Sequence, residues 1–223
     1  LPFEILSLEQ LDALILDIHH RYPRLKAAAA GIAALVNHGV VEETNQYIGL
    51  KGFNLEEHFR HLVPIPMTVG NDMDFLTMGC WKHPDACSLV TLFMGGNGIG
   101  GGMVINGRLW TGASGYCSEV GFLPVYERLN KGSLGLPPAE HISELYARLI
   151  QVYAVTVNPH MMVLYRHPLL EGRLDEIRRL CASYLPSKAI PSIELSYDYQ
   201  QDYEKGLFTV AKSLEQAVSE GGL

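Results

Sequence analysis

The sequence predicts an α/β protein with mixed sheets, and two observations carry that prediction. Segments of strand-like composition alternate with amphipathic helical segments along most of the chain, which is the pattern of sheets covered by helices. Asn106-Gly107, set between apolar runs, is a hairpin signal that adds antiparallel pairing to the parallel pairing the alternation implies. At 223 residues, with 48% hydrophobic and 18% charged, the chain is long enough for a large core in one domain or two small lobes.

Taken in order, Ser7 and Gln10 form a capping-box pattern, and Leu8, Leu11, Leu14, Ile15 and Ile18 recur at helical spacing until Pro23. The apolar run from Leu25 to Val36, closed by Asn37-His38-Gly39, predicts a buried strand and a turn. Asn54 with Glu57 opens a short helix, and Pro64 and Pro66 frame a strand ending at Val69. Helical spacing follows from a capping Asn71 to about Trp81. Ser88 to Met94 is strand-like and leads into a glycine run, GGNGIGGG at 95 to 102, and then into the hairpin. Residues 127 to 138 have low apolar content and mark the best internal break. Beyond it the pattern predicts a long helix from Ile142 to Val157, a strand from Met161 to Tyr165 and a helix from Leu170 to Leu185. A strand from Ile193 to Tyr197 and a closing helix from Tyr203 to Val218 complete the chain.

Composition excludes several functions. Lys and Arg number 17 against 24 Asp and Glu, a net charge of −7, with no basic block, so nucleic-acid binding would need a segment outside this chain. Cys80, Cys87, Cys117 and Cys181 form no C-x-x-C pair and point to reduced, buried thiols. No stretch approaches the roughly 18 apolar residues of a membrane span, and residues 1 to 6 lack a signal-peptide pattern; a cytoplasmic location is expected. The missing initiator Met suggests a piece of something longer.

Residues 96 to 101 spell G-x-G-x-x-G, yet a dinucleotide fingerprint must open a helix, and here a strand is predicted to follow. No Gly-Lys-Ser/Thr follows either. The run is expected to be a glycine turn between strands, its bare N–H groups open to an anion or ligand.

Three segments in this order are together specific: VGNDMDFLTMGC (69–80), GGNGIGGGMVINGRLWTGASG (95–115) and SEVGFLPV (118–125). They resemble the ROK family of sugar kinases and sugar-responsive repressors, in its E-N-D-x-N helix start, its glycine-rich phosphate hairpin and its G-E-I-G-H-x-x-V. LKGFNLEEHF (50–59) and LYARLIQVYAVTVNPHMMVLY (145–165) extend the resemblance over most of the chain. It implies an actin/hexokinase-like (ribonuclease H-like) two-lobed fold with an incomplete first lobe. Residues 1–93 would be the remainder of the N-terminal lobe and 94–223 the C-terminal lobe, the last helix packing back on the first. It makes Asp72 the general base toward a sugar hydroxyl, Asn71, Asp72 and Glu119 the sugar-binding residues, and Gly95, Gly96, Gly98 and Gly100 the lining of a phosphate site. Asn71 and Asp72 equally suit a helix start, and Asp74 is best read that way alone.

The departures matter as much. The chain has no D-x-G-G-T, which in the family contacts ATP phosphates and magnesium. Ala33-Ala34 stands for the Pro-Gly of the sugar loop, Gly70 for the Glu before Asn-Asp, and Phe122 for the His that binds sugar and zinc. Residues 123 to 180 hold no cysteine, so no zinc is expected. His58 and His61 lack a further clustered ligand and read as solvated or capping. Tyr165-Arg166 stands where two glycines let backbone approach adenosine. The resemblance therefore implies the sugar-binding effector domain of a ROK-type transcriptional regulator, without catalysis or cofactor, as a homodimer that meets DNA only through a segment outside this chain. The alternative is a truncated or divergent sugar kinase using Mg-ATP on a hexose or amino sugar, and the third a dimerisation scaffold.

Overall fold

The computed structural model describes residues 7–44, 46–81, 88–96, 98–129 and 137–220. Helix α1 (Leu8–Arg21) starts at the expected capping box: the Ser7 hydroxyl accepts from the Gln10 N–H, and the Gln10 side chain accepts from the Ser7 N–H. Strands β1 (Ala28–Ile32) and β4 (Met67–Asn71) pair in parallel. Strands β2 (Leu35–Asn37) and β3 (Val40–Glu43) form a hairpin whose turn, His38-Gly39, has positive φ at both residues. Helix α2 (Leu55–Leu62) is capped by Asn54, whose Oδ1 accepts from the Glu57 N–H at 2.9 Å. Leu11, Ile15, Val41, Leu55, Phe59 and Val69 join these elements into one core.

The larger unit is a five-stranded sheet ordered β7-β6-β5-β8-β9. Strands β5 (Leu89–Gly95), β6 (Gly98–Ile105) and β7 (Arg108–Leu109) run antiparallel in sequence, and β8 (Met161–Tyr165) and β9 (Ser192–Ser196) extend β5 in parallel. One face is covered by α4 (Pro124–Leu129), α5 (Ile142–Thr156) and α6 (Leu174–Tyr184), with Leu145, Leu149 and Ile150 of α5 fully buried. The other face carries α3 (Asp72–Cys80) and the closing helix α7 (Tyr199–Ser219), which lies along α3 and reaches β1 and β4. The mixed α/β architecture is the predicted one.

Several boundaries differ from expectation for tertiary reasons. The Leu25–Val36 run divides into two strands in different sheets, and β1 is only half-buried, because its alanines are short and it pairs on one edge. Strand β4 continues past Val69 to Asn71, α6 starts at Leu174 after a short 3₁₀ turn, and α7 begins at Tyr199. The glycine run is mostly strand rather than turn. Gly98 to Gly102 pair with Gly95 to Thr91 across β5. A Cβ on Gly102 would sit 1.9 Å from Thr77 Oγ1, and one on Gly100 2.8 Å from Met73 Cγ, so bare backbone lets α3 lie flush on β6. The break expected at 127 to 138 is entered by α4, and most of it, with Cys87 and Asn97, lies outside the described residues.

Candidate functional site

The chemistry converges on the N-terminus of α3. Strand β4 delivers Asn71 in extended conformation as the cap: its Oδ1 accepts from the Met73 N–H at 2.7 Å, and its Nδ2 donates to the Ala34 carbonyl at 2.8 Å. Asn71 thus ties the end of β4 to the loop after β1 while keeping one N–H and one lone pair for a ligand. Asp72 Oδ1 also accepts from the Met73 N–H, at 2.9 Å. A helix N-terminus favours the carboxylate, yet burial outweighs it and pushes the Asp72 carboxyl up to about 6.

Two further carboxyls share this environment. Burial, then the charges of Asp72 and Glu119, push Asp74 up to about 7; burial, then Asp72, raises Glu119. Asp72 and Asp74, two residues apart on a helix, look to different sides. Asp72 borders an apolar cavity of about 610 Å³ between α1, β1 and α7, with Tyr47, Tyr199 and Tyr203 beside it. Asp74 borders a groove of about 420 Å³ between the β2–β3 turn and Leu109–Gly112. Glu119 lines neither hollow, but lies within electrostatic reach of both. The sequence pairs Asp72 with Glu119 and reads Asp74 as a helix-start residue; the structure adds that Asp74 is itself buried and within electrostatic reach of both.

The segment carrying Glu119 crosses from the large sheet to the smaller unit. Gly115 lies against the Val36 carbonyl, which a Cβ would meet at 3.0 Å, and the loop is closed by the Cys117 N–H donating to the Thr111 carbonyl. Ser118 has φ +68, a left-handed turn that aims the chain into the 3₁₀ turn Val120–Phe122. Of the glycines expected to line a phosphate, Gly95 and Gly98 pair at the end of the β5–β6 hairpin, and Gly96 faces open space. Gly100 instead sits beneath Met73.

Tyr165, at the end of β8, fills its neighbourhood. It is 1% exposed, its ring meets Phe93 and Tyr199 edge-on, and its hydroxyl donates to Asp202 Oδ2 at 2.8 Å. Phe93 and Tyr199 stack at 4.4 Å. Zinc does not fit the residues present: Phe122 has no ligand atom, and no three His, Cys, Asp or Glu among the described residues are grouped to hold a metal. His58 Nε2 instead meets Asp12 Oδ1 at 2.7 Å, and His61 Nδ1 pairs with the Glu57 carbonyl. No helix among the described residues is long and apolar enough to cross a membrane.

Comparison with known proteins places the chain in a family. Residues 7–141 match the model of the ROK family. Eighty residues are 32% identical to a glucokinase of Halalkalibacterium halodurans; the match covers 35% of this chain and 24% of that enzyme, about a quarter of its length. A ROK family protein from Streptococcus pneumoniae, solved with sucrose, superposes with TM-score 0.69 at 16% identity over 95% of this chain and 90% of that one. A ROK family glucokinase from Streptomyces griseus, solved with glucose and AMPPNP, gives TM-score 0.60 at 16% identity, covering 94% of this chain and 89% of its own. At such identities the structural likeness is one of fold, the actin/hexokinase-like fold of ROK sugar kinases. The family match spans more than half of the chain, from the capping box of α1 through the Asn71-Asp72 helix start and the Glu119 segment, and the protein belongs to the ROK family.

Proposed function

We propose that this chain is a sugar-binding module, the effector domain of a ROK-type transcriptional regulator, which holds a hexose or amino sugar without transferring phosphate. The observation that carries the reading is Tyr165: where the family resemblance implies bare glycine backbone beside adenosine, a buried tyrosine is held edge-on by Phe93 and Tyr199 and hydrogen-bonded to Asp202. Asp72 and Glu119 accept sugar hydroxyls, and the remaining N–H of Asn71 donates to a ring substituent. Directional bonds of this kind survive the loss of phosphate-side groups, whereas losing a preorganised charge stabiliser costs about 10²- to 10³-fold in rate. Sugar closing the two units together would be relayed to a DNA-binding segment outside this chain.

The second reading is a sugar kinase, favoured by Asp72. A carboxyl titrating at about 6 beside a helix N-terminus suits a general base near neutral pH, and Gly96 leaves room for a phosphate. The relatives named glucokinase support this reading.

The test is a thermal-shift panel of hexoses, N-acetylated amino sugars and pentoses, run beside an assay of sugar-dependent ADP formation. A sugar at about 100 times its Kd adds about 2.7 kcal/mol, or roughly 5–10 °C in a chain of this size. A selective shift that vanishes in Asp72→Ala, without ADP, supports the binding module. Sugar-dependent ADP overturns it in favour of the kinase, and no shift with any sugar overturns both.

A further inference from the structure

Two large aromatic side chains stand exposed on the segment that carries Glu119. Phe122 is 72% exposed and Tyr116 45%, with their rings in contact at 5.9 Å and tilted by 60°. Phe122 closes the 3₁₀ turn that Glu119 begins, its N–H donating to the Glu119 carbonyl at 3.2 Å. Glu119 caps the turn that Phe122 ends, so the ring and the carboxylate stand on one short segment joined by that backbone bond. Tyr116 also lies within electrostatic reach of the smaller unit's Lys51 ammonium, which is bound to both oxygens of Glu43 at 2.7 Å. Two touching aromatic rings, the carboxyl of Glu119 on the same segment and a charged pair within electrostatic reach of Tyr116 make up one lip.

We infer that Tyr116 and Phe122 form an aromatic shelf that stacks on the apolar C–H face of a pyranose whose hydroxyls are held by Glu119, so that Phe122 sets affinity and ring-face selectivity. This rests on the sugar-binding reading above. A pyranose is the ligand whose chemistry fits both halves of the lip. Its equatorial hydroxyls donate to a carboxylate at the rim of the ring, while its axial C–H bonds leave one face apolar and able to rest on an aromatic plate. A purely apolar ligand would strand Glu119, and a cationic one would meet Lys51.

The experiment compares wild type, Phe122→Ala, Phe122→Trp and Glu119→Gln by calorimetric titration with glucose, N-acetylglucosamine and sucrose, with the unliganded melting temperature of each variant as control. Because the Phe122 ring is mostly in water, Phe122→Ala should melt with wild type. It should bind the selected sugar about tenfold more weakly, Phe122→Trp should hold or improve affinity, and upfield shifts of the sugar C–H protons should be lost in Phe122→Ala. If wild type binds a sugar and Phe122→Ala binds it equally well, the shelf is wrong while the binding reading stands. If wild type binds none of the three, both fall.

Discussion

The seam between α3 and α7 offers a sharp test, because two physical effects there predict opposite signs. A Cβ on Gly206 would lie 1.7 Å from the Phe75 carbonyl oxygen and 2.6 Å from its carbon, and one on Gly79 would lie 1.6 Å from the Asp202 carbonyl oxygen. These are backbone atoms of the facing helix, so no rotamer relieves the overlap; the helices must part by about 1.5 Å to restore ordinary contact. Separation of that size forfeits packing along the seam and strains the Tyr165–Asp202 bond, at a cost of about 3 kcal/mol or more. Helix propensity alone favours Ala over Gly by about 1 kcal/mol. The balance is a loss of about 2 kcal/mol for Gly206→Ala, so its melting temperature should fall by roughly 4–8 °C, with Lys205→Ala unchanged. The double variant with Gly79→Ala should lose less than the sum, since helices already parted accommodate the second methyl. A rise of 2–4 °C in Gly206→Ala would mean that propensity wins and that the close crossing is not there.

Stability should also fall as pH rises from about 4 to 7. Asp72 and Asp74 titrate at about 6 and about 7 in the fold against 3.8 when free, so the folded state holds the extra protons between those limits and their contribution is lost as pH climbs through the folded values. The loss amounts to a few kcal/mol, about 1.4 for each pH unit separating the two states; a melting curve series in which Asp74→Asn fails to flatten the slope would contradict it. Tyr165→Phe removes the hydroxyl that donates to Asp202, a carboxyl only 4% exposed, and should destabilise by about 2–3 kcal/mol in denaturant titration. Equal stability of Tyr165→Phe and wild type would show that Asp202 has another partner.

What could be read from the sequence was local. The caps at Ser7 and Asn54 lie within three residues of the groups they satisfy, and Asn106-Gly107 needs only its own turn, so all three appear where the pattern put them. The glycine run misled because glycine weakens a strand unless something fills the space its side chains vacate; here the filler is Met73 and Thr77, brought by α3. Gly206 and Gly79 are 127 positions apart and carry no sequence signal of their meeting. At the site, Asn71 and Asp72 stood out by their flanks. Asp74 did not, since a second acid at a helix start is ordinary, and its coupling to Glu119 exists only once the loop from Trp110 has crossed to β2. Tyr165 stood out as a side chain in place of glycine, but its burial depends on Asp202 from the last helix.

Charge pairing separates the site carboxylates from many acids nearer the surface. Several of these lie beside bases: Glu56 with Arg60, Glu144 with Arg148, Glu171 with Arg166, Glu43 with Lys51. Among the described residues no ion pair involves Asp72, Asp74 or Glu119; burial raises all three, and the charge of Asp72 raises Asp74 and Glu119 further. Capping does not account for this, because the Met73 N–H that Asp72 accepts is already taken by Asn71, and a cap is worth only about 1 kcal/mol, less than the burial of two mutually repelling acids removes. A fold that retains such acids bears a standing destabilisation, which a partner that donates several hydrogen bonds without bringing charge would relieve. A polyhydroxylated ring does this. A cation would relieve it too, but its affinity would rise steeply with pH through 6 to 7 and weaken with salt, whereas a sugar's would follow only the ionisation of the acceptors and be nearly indifferent to ionic strength. The salt dependence of binding therefore separates the two, and a steep one would count against every sugar-based reading of this site.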